Sequence, residues 1–168
     1  MKKRLIKKQL KRRQRNKMVQ AEDIKKLRSE TGAGVMDTKK ALEEAGGDFE
    51  KARQILASTA QAIAKKKAER ATKNGLVEVY THAGKIGVLL EINCESDFVA
   101  RNDEFKDLAH GIAMQIASMN PKDVDELLSQ NYIREDKFTI QNLLEQATGK
   151  IGENIQIKRF CRFELGEE

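Results

Sequence analysis

The sequence is poor in proline, aromatic residues and cysteine. It has no Trp and a single Pro, at position 121, and only 5% of its residues are aromatic. This composition argues against an all-β fold with proline-rich turns and favours a helix-rich one. No apolar run approaches the length of about 20 residues that a membrane-spanning helix needs. We therefore expect a helix-rich protein with no membrane-spanning segment.

The two cysteines, Cys94 and Cys161, lie 67 positions apart. There is no CxxC pair, and no His stands at metal-ligand spacing from either cysteine, so the pattern argues against a zinc site. The N-terminal segment lacks the apolar core of a secretory signal. We predict two reduced thiols in a cytoplasmic protein that binds no metal and no cofactor.

The positive charge of the chain is concentrated at its N-terminal end. The net charge is +6, yet residues 1–17 contain ten Lys or Arg and no acid, whereas 18–168 hold 22 basic and 26 acidic residues. The body of the protein is therefore acidic. We predict that 1–17 is a disordered basic arm, with contact to nucleic acid through this arm as an open alternative.

The region 18–60 has apolar residues at helical spacing and is predicted to form a three-helix bundle. The first helix should stop near Gly32, because glycine readily takes the left-handed conformation after a helix end. Asp37 and Asp48 are predicted to cap the second and third helices. So small a bundle buries little apolar surface, which favours an adaptor used for binding. The Ala- and Lys-rich stretch 61–73 follows as a predicted helical linker.

In the region 74–168 the period of the apolar residues changes to two, which is typical of strands. The predicted elements are strands at 76–80 and 86–92, helices at 99–119, 123–130 and 137–148, and a strand at 154–160. The first two strands should form a hairpin, which the last one joins. The predicted fold class is therefore α+β: a small N-terminal three-helix bundle followed by a three-stranded antiparallel sheet covered by helices.

No group of residues in the sequence supports covalent catalysis. His82 and His110 have no recognisable serine or thiol partner, so neither is a good general base. Gly32-Ala33-Gly34 follows a helix rather than a strand, and so is a poor candidate for a phosphate-binding loop. We expect a binding protein rather than an enzyme, without catalytic residues or metal ligands.

Three stretches of the chain together resemble bacterial and organellar elongation factor Ts. They are LRSETGAGVMDTKKAL at 27–42, EINCESDFVARN at 91–102 and IGENIQIKRF at 151–160. The resemblance covers about 20–165 in the family's order and leaves out 1–17. It implies a guanine-nucleotide exchange factor of translation elongation, with a ubiquitin-associated-like (UBA-like) bundle, whose partner is the GTPase domain of elongation factor Tu.

The resemblance also implies a set of partner-binding residues at 96–99. In the family an Asp-Phe pair at the end of a core strand enters the partner near its magnesium and phosphate site. Asp97 and Phe98, flanked by Ser96 and Val99, match that pair. Phe98 would fill a hydrophobic pocket, and Asp97 would compete for hydrogen bonds near the phosphates. From the residues alone, Asp97 as the N-cap of the helix at 99–119 and Phe98 as a core residue remain open.

A second contact with the GTPase is implied for the bundle. Lys25, Val35 and Met36 match positions where the family's bundle touches its partner. Val35 and Met36 are predicted to lie in the loop between two helices, where core burial and a role as exposed anchors are both open.

The sequence departs from the family pattern in three places. Ser96 stands where Thr is usual, the basic arm is additional, and the core is present once whereas longer members carry two copies. Short members form a homodimer, so the resemblance implies one here, through an edge strand at 153–165. Cys161 on that strand is expected to be a packed free thiol, with a disulfide across the dimer as the alternative. The implied location is the cytoplasm or an organelle of bacterial descent.

Overall fold

The computed structural model describes residues 19–167, so the predicted basic arm lies outside the described part of the chain. The chain divides into two compact units, Met1–Ala62 and Ile63–Glu168. We call them the N-terminal and the C-terminal unit. Within 19–167, no helix combines the length and apolarity that crossing a membrane requires.

The N-terminal unit consists of three helices. They are α1 (Ala21–Thr31), α2 (Val35–Glu44) and α3 (Phe49–Lys67), the last of which continues into the C-terminal unit. The apolar residues of its small core are Leu27, Ala41, Leu42, Ala52 and Leu56, and Thr38 of α2 is buried as well. The prediction that α1 stops at Gly32 is confirmed, since Gly32 is left-handed with φ 67° and its N–H donates to the Arg28 carbonyl.

The caps of this unit were predicted with mixed success. Asp48 caps α3 as expected, because its Oδ1 accepts the Lys51 backbone N–H at 3.1 Å, and that bond lowers the pKa of the Asp48 carboxyl. The prediction that Asp37 caps α2 is wrong. The N-cap is Gly34, three residues earlier, whose carbonyl accepts the Thr38 N–H at 2.9 Å. Asp37 lies in the first turn, where a negative charge still favours the helix N-terminus.

The C-terminal unit combines a sheet with helices on one face. Its elements are β1 (Asn74–His82), β2 (Ile86–Cys94), α4 (Asp97–Ala100), α5 (Asp103–Met119), α6 (Val124–Ser129), β3 (Asn131–Tyr132), β4 (Glu135–Thr139), α7 (Ile140–Ile151) and β5 (Gln156–Glu164). The main sheet is antiparallel in the order β1-β2-β5, and β3 and β4 form a separate ribbon. The predicted α+β fold class is confirmed, including the pairing of the last strand with the hairpin.

Two predicted helices of the C-terminal unit have different bounds from those expected, and of the predicted helical linker 61–73 only the part up to Lys67 is helical, as the end of α3. The helix at 99–119 is broken before Asp103, because the Oδ1 of Asn102 accepts the Glu104 N–H at 2.9 Å and starts a new helix, α5. The helix predicted at 137–148 begins only at Ile140, after the capping residue Thr139. The residues before it form β4, a strand too short for its alternation to be recognised.

The two faces of the main sheet have different surroundings. One face packs on α5, with Leu90 and Ile92 of β2 and Phe105, Ile112 and Ile116 of α5 fully buried. Alternate residues point the other way and are exposed. We call this side the outer sheet face; its exposed apolar residues and thiol are Val77, Val79, Leu89, Cys161 and Phe163. An uncovered apolar sheet face of this kind is typical of an interaction surface.

Candidate partner-binding site

Asp97 and Phe98, the pair that the resemblance implies to enter the partner, are called the wedge below; they lie at the junction where β2 passes into the short helix α4. Ser96 has an extended backbone (φ −123°, ψ 156°), and its Oγ accepts the Val99 backbone N–H at 3.3 Å. Ser96 is therefore the N-cap. The alternative that Asp97 is the N-cap here is wrong, because Asp97 already lies in the first helical turn.

Phe98 is the most exposed large apolar residue of the described chain, with 79% of its surface accessible. Phe98 is therefore not a core residue, and the alternative that placed it in the core is wrong. The next residue, Val99, is 5% exposed and packs in the core of the unit. Val99 thus anchors the single turn of α4 to the body and leaves Phe98 pointing outward. Aromatic residues, Phe among them, are enriched in protein interfaces relative to the rest of the surface.

Asp97 presents its carboxylate beside Phe98. Its Oδ2 lies 3.1 Å from the Nη2 of Arg101, one helical turn away, and both side chains are mostly exposed. An ion pair in solvent contributes little to stability, so breaking it costs little free energy. The site therefore offers one carboxylate and one phenyl ring on adjacent residues.

The junction is held in place by Glu153, a residue of the turn before β5. Its Oε2 accepts the backbone N–H of Glu95 at 3.1 Å and that of Ser96 at 2.9 Å. Its Oε1 accepts the Ser96 hydroxyl at 2.6 Å. One carboxylate therefore accepts every backbone N–H between the end of β2 and the start of α4.

Glu95 makes the reciprocal contact. Its Oε1 accepts the backbone N–H of Asn154 at 2.7 Å, and the Arg70 guanidinium lies 3.5 Å away. The Asn74 side chain donates to the Glu95 carbonyl at 2.7 Å. Asn154 is itself buried and donates to the Arg70 carbonyl at 2.9 Å. The junction and the turn before β5 are thus cross-linked in both directions.

Cys94 ends β2 inside this network. Its thiol is buried and donates to the Ser96 carbonyl at 3.1 Å. Burial raises the pKa of the Cys94 thiol, and the negative charge of Glu153 raises it further. Cys94 therefore stays a neutral thiol that packs in the core, as expected for a structural cysteine.

Lys25, Val35 and Met36, the residues implied as a second contact, all lie in the N-terminal unit. Lys25 is exposed on α1. Val35 and Met36 were predicted in a loop, which is wrong: they form the first turn of α2, because Gly34 rather than Asp37 caps it. Both are exposed, Val35 by 48% and Met36 by 62%, so core burial does not apply to them.

Cys161 is exposed on β5, which pairs only with β2 and so lies at one edge of the main sheet. It stands opposite Leu89 in the strand register and shares the outer sheet face with it. Among the described residues, no cluster of three or more His, Cys, Asp or Glu could hold a metal ion.

Comparison with known proteins relates these elements to one family. The model of the family described as Elongation factor TS matches residues 95–168. The elongation factor Ts of Thermotoga neapolitana is 44% identical to this chain, over 86% of the chain and 96% of the relative. Those of Fervidobacterium nodosum and Coprothermobacter proteolyticus are 43% and 42% identical, each over 89% of the chain and 99% of the relative. The chain belongs to the elongation factor Ts family.

Membership of the elongation factor Ts family implies a role in protein biosynthesis as a nucleotide exchange factor for elongation factor Tu. The family model begins at Glu95 and so includes the whole junction and its support at Glu153. The stretch aligned with the Thermotoga neapolitana protein is longer than this chain, 189 against 168 residues. That elongation factor Ts therefore has residues for which this chain has no counterpart.

Glu153 was not predicted as part of the site. It stands within 151–160, one of the stretches that resemble elongation factor Ts, and this was the only signal available. Its hydrogen bond to Ser96 joins residues 57 positions apart. No local spacing or periodicity marks such a long-range contact, so sequence patterns alone do not reveal it.

Proposed function

We propose that this chain binds the GTPase domain of elongation factor Tu and promotes GDP release by inserting Asp97 and Phe98 near the magnesium and phosphate site. The observation that carries the proposal is the exposure of Phe98, 79% accessible on a turn whose neighbours are fixed. Exposing a phenyl ring to water is unfavourable, and a hydrophobic pocket on a partner would remove that cost.

The proposed mechanism uses no covalent step of this chain. Phe98 enters a pocket between partner helices and displaces them, and Asp97 competes for the hydrogen bonds that hold the phosphates and magnesium. The affinity of the partner for its nucleotide then falls. By linkage, bound nucleotide lowers the affinity for the exchange factor by the same factor. Exchange is therefore accelerated in both directions, and the cell's excess of GTP over GDP decides the outcome.

A second part of the proposal concerns the N-terminal unit, with its UBA-like bundle. Lys25, Val35 and Met36 are all exposed and are proposed to contact the same GTPase domain. Val35 and Met36 are adjacent apolar side chains at a helix N-terminus, and an exposed Met adapts readily to the shape of a partner. The proposed place of action is the cytoplasm, where translation factors work.

We also propose that the chain works as a homodimer whose subunits meet at the outer sheet face. The apolar centre of this face is formed by Val79 and Leu89, which are paired in the strand register. A charged pair borders it, with the Arg159 Nε 2.7 Å from the Glu91 carboxylate, which lowers the pKa of that carboxyl. An apolar centre with a polar rim is the usual composition of an interface. A second copy offers the same surface, as a two-fold interface requires.

The test of the main proposal is release of labelled GDP from elongation factor Tu. With this chain added in catalytic amount, we expect the release rate to rise by at least about a hundredfold, as steered encounter and a preformed site allow. A buffer blank and an unrelated protein of similar charge serve as controls. Unchanged release at every concentration of the chain contradicts the proposed function.

The basic arm supports one further contact, with nucleic acid. Ten cationic side chains within 1–17 form a charge density suited to phosphates. We expect RNA binding that weakens about a thousandfold between about 50 and 200 mM salt if about six phosphates are neutralised. Deleting 1–17 should abolish this binding and leave GDP release unchanged. RNA affinity that survives the deletion would place the binding surface elsewhere.

A further inference from the structure

Glu153 binds the two residues immediately before Asp97. It follows Gly152, which ends α7 in the left-handed conformation with φ 85°, and this sharp exit directs the chain toward the junction. Among the residues that the structure describes, every hydrogen bond that the Glu153 carboxylate accepts comes from Glu95 or Ser96. Charge-assisted hydrogen bonds of this kind are about twice as strong as neutral ones.

The Ser96 hydroxyl transmits this support to the helix. Because its proton is donated to Glu153, its lone pairs are left to accept the Val99 N–H and cap α4. A helix of four residues has no stability of its own, since nucleation is unfavourable. The conformation of α4 therefore depends on this cap and on the burial of Val99.

The reciprocal bond from the Asn154 N–H to Glu95 restricts the junction further, beyond the three hydrogen bonds that Glu153 accepts. The Glu153 carboxylate binds the backbone at Ser96, and the Glu95 carboxylate binds the backbone at Asn154. The junction is therefore held at two separate points. Phe98 is mostly exposed, so its own packing does not fix its direction.

We infer that Glu153 is a positioning residue for nucleotide exchange, which holds Glu95 and Ser96 so that Asp97 and Phe98 meet the partner in a fixed direction. The inference rests on the proposed function of that pair. Its physical basis is preorganisation, because a wedge that is already ordered costs less conformational entropy to insert. Glu153 itself need not touch the partner.

The test is a double-mutant cycle measured by GDP release. Glu153→Gln keeps the shape of the side chain and removes the charge and one acceptor. We expect kcat/KM for release to fall about tenfold, the effect of one lost charge-assisted bond. In an Asp97→Ala plus Phe98→Ala background the same substitution should change kcat/KM less than about twofold, because both side chains to be positioned are gone. Glu135→Gln, which removes an exposed charge from β4, is the matched control and should have no effect.

The outcomes separate this inference from the proposed function. An equal loss in both backgrounds means that Glu153 only stabilises the fold, which overturns the inference. A fully active Glu153→Gln beside an impaired Asp97→Ala plus Phe98→Ala variant overturns it as well, and leaves the proposed function standing. No acceleration by the parent chain overturns both.

A second variant tests the inference in case Glu153→Gln does not fold. Should Glu153→Gln fail to give the thermal transition of the parent, Ser96→Ala takes its place, since it removes only the hydroxyl that links Glu153 to Val99. We expect about a threefold to tenfold loss in kcat/KM for the loss of a single hydrogen bond. Ser96→Thr keeps the hydroxyl and should restore the parent value. A threonine variant as impaired as the alanine variant would overturn the inference.

Discussion

Replacing Asp97 and Phe98 together by Ala should reduce the acceleration of GDP release by at least about a hundredfold, the loss expected when a central aromatic anchor and its charged neighbour are removed. Both side chains are mostly exposed, so the fold should not change. The release assay with labelled nucleotide measures the effect, and the thermal midpoint of the variant should match that of the parent.

The two contributions can be separated by single substitutions. Phe98→Ala removes the ring that is proposed to displace partner helices, and we expect most of the loss from it. Asp97→Asn keeps the size of the side chain and removes the charge that is proposed to compete near magnesium, so its effect should be smaller and should depend on magnesium concentration. The dependence follows because the proposed competitor of Asp97 is the metal-phosphate cluster.

The matched control is a double variant that truncates one acidic and one apolar side chain elsewhere on the C-terminal unit. Asp136 is exposed on β4, and Ile133 is 41% exposed beside the same ribbon. Asp136→Ala with Ile133→Ala should retain the parent rate. A wedge variant that releases GDP as fast as this control would keep the exchange activity but reject Asp97 and Phe98 as its source.

The second large effect concerns the dimer. Leu89→Asp places a charge at the centre of the outer sheet face, where a second copy would bury it without a partner. We expect the dissociation constant of the dimer to rise by at least about a hundredfold, because an uncompensated buried charge costs several kcal/mol. Sedimentation velocity over a range of concentrations measures the shift from dimer to monomer.

The control for the dimer is Ile133→Asp, at a residue 41% exposed beside the short ribbon rather than on the outer sheet face. It should leave the dimer intact. Cys161 gives an independent readout, since a second copy that covers the face should slow alkylation of its thiol, and Leu89→Asp should restore the reaction. A parent chain that sediments as a monomer at all concentrations contradicts the proposed dimer.

The sheet could be predicted because its signal is local. Alternating apolar residues mark β1, β2 and β5, and burying one face of each strand is enough to bring them together. The caps were harder to predict. Asp is a favourable capping residue, yet Gly34 and Ser96 take the positions expected for Asp37 and Asp97. Which residue becomes the N-cap of a helix depends on where the preceding segment ends. At Ser96 this point is held by hydrogen bonds to Glu153, which is far away in the sequence.

The site was predicted unevenly for the same reason. The resemblance pointed to Asp97 and Phe98. The exposure of Phe98 follows from the burial of Val99, and the sequence pattern does not show which of these two adjacent apolar residues is buried. The position of Val35 and Met36 in the first turn of α2 follows from the choice of Gly34 as cap. The support from Glu153 joins distant segments, and no period of the sequence predicts such a pair.

The long-range hydrogen bonds at the junction also set an order of events during synthesis. Ser96 leaves the ribosome 57 residues before Glu153, and β5 must follow before the turn that carries Glu153 is fixed in the sheet. A nascent chain that lacks this last segment has the wedge sequence without its support. A fragment that stops before Glu153 would therefore carry Asp97 and Phe98 without the hydrogen bonds that hold Glu95 and Ser96, so that the proposed engagement of the GTPase waits until β5 has been made.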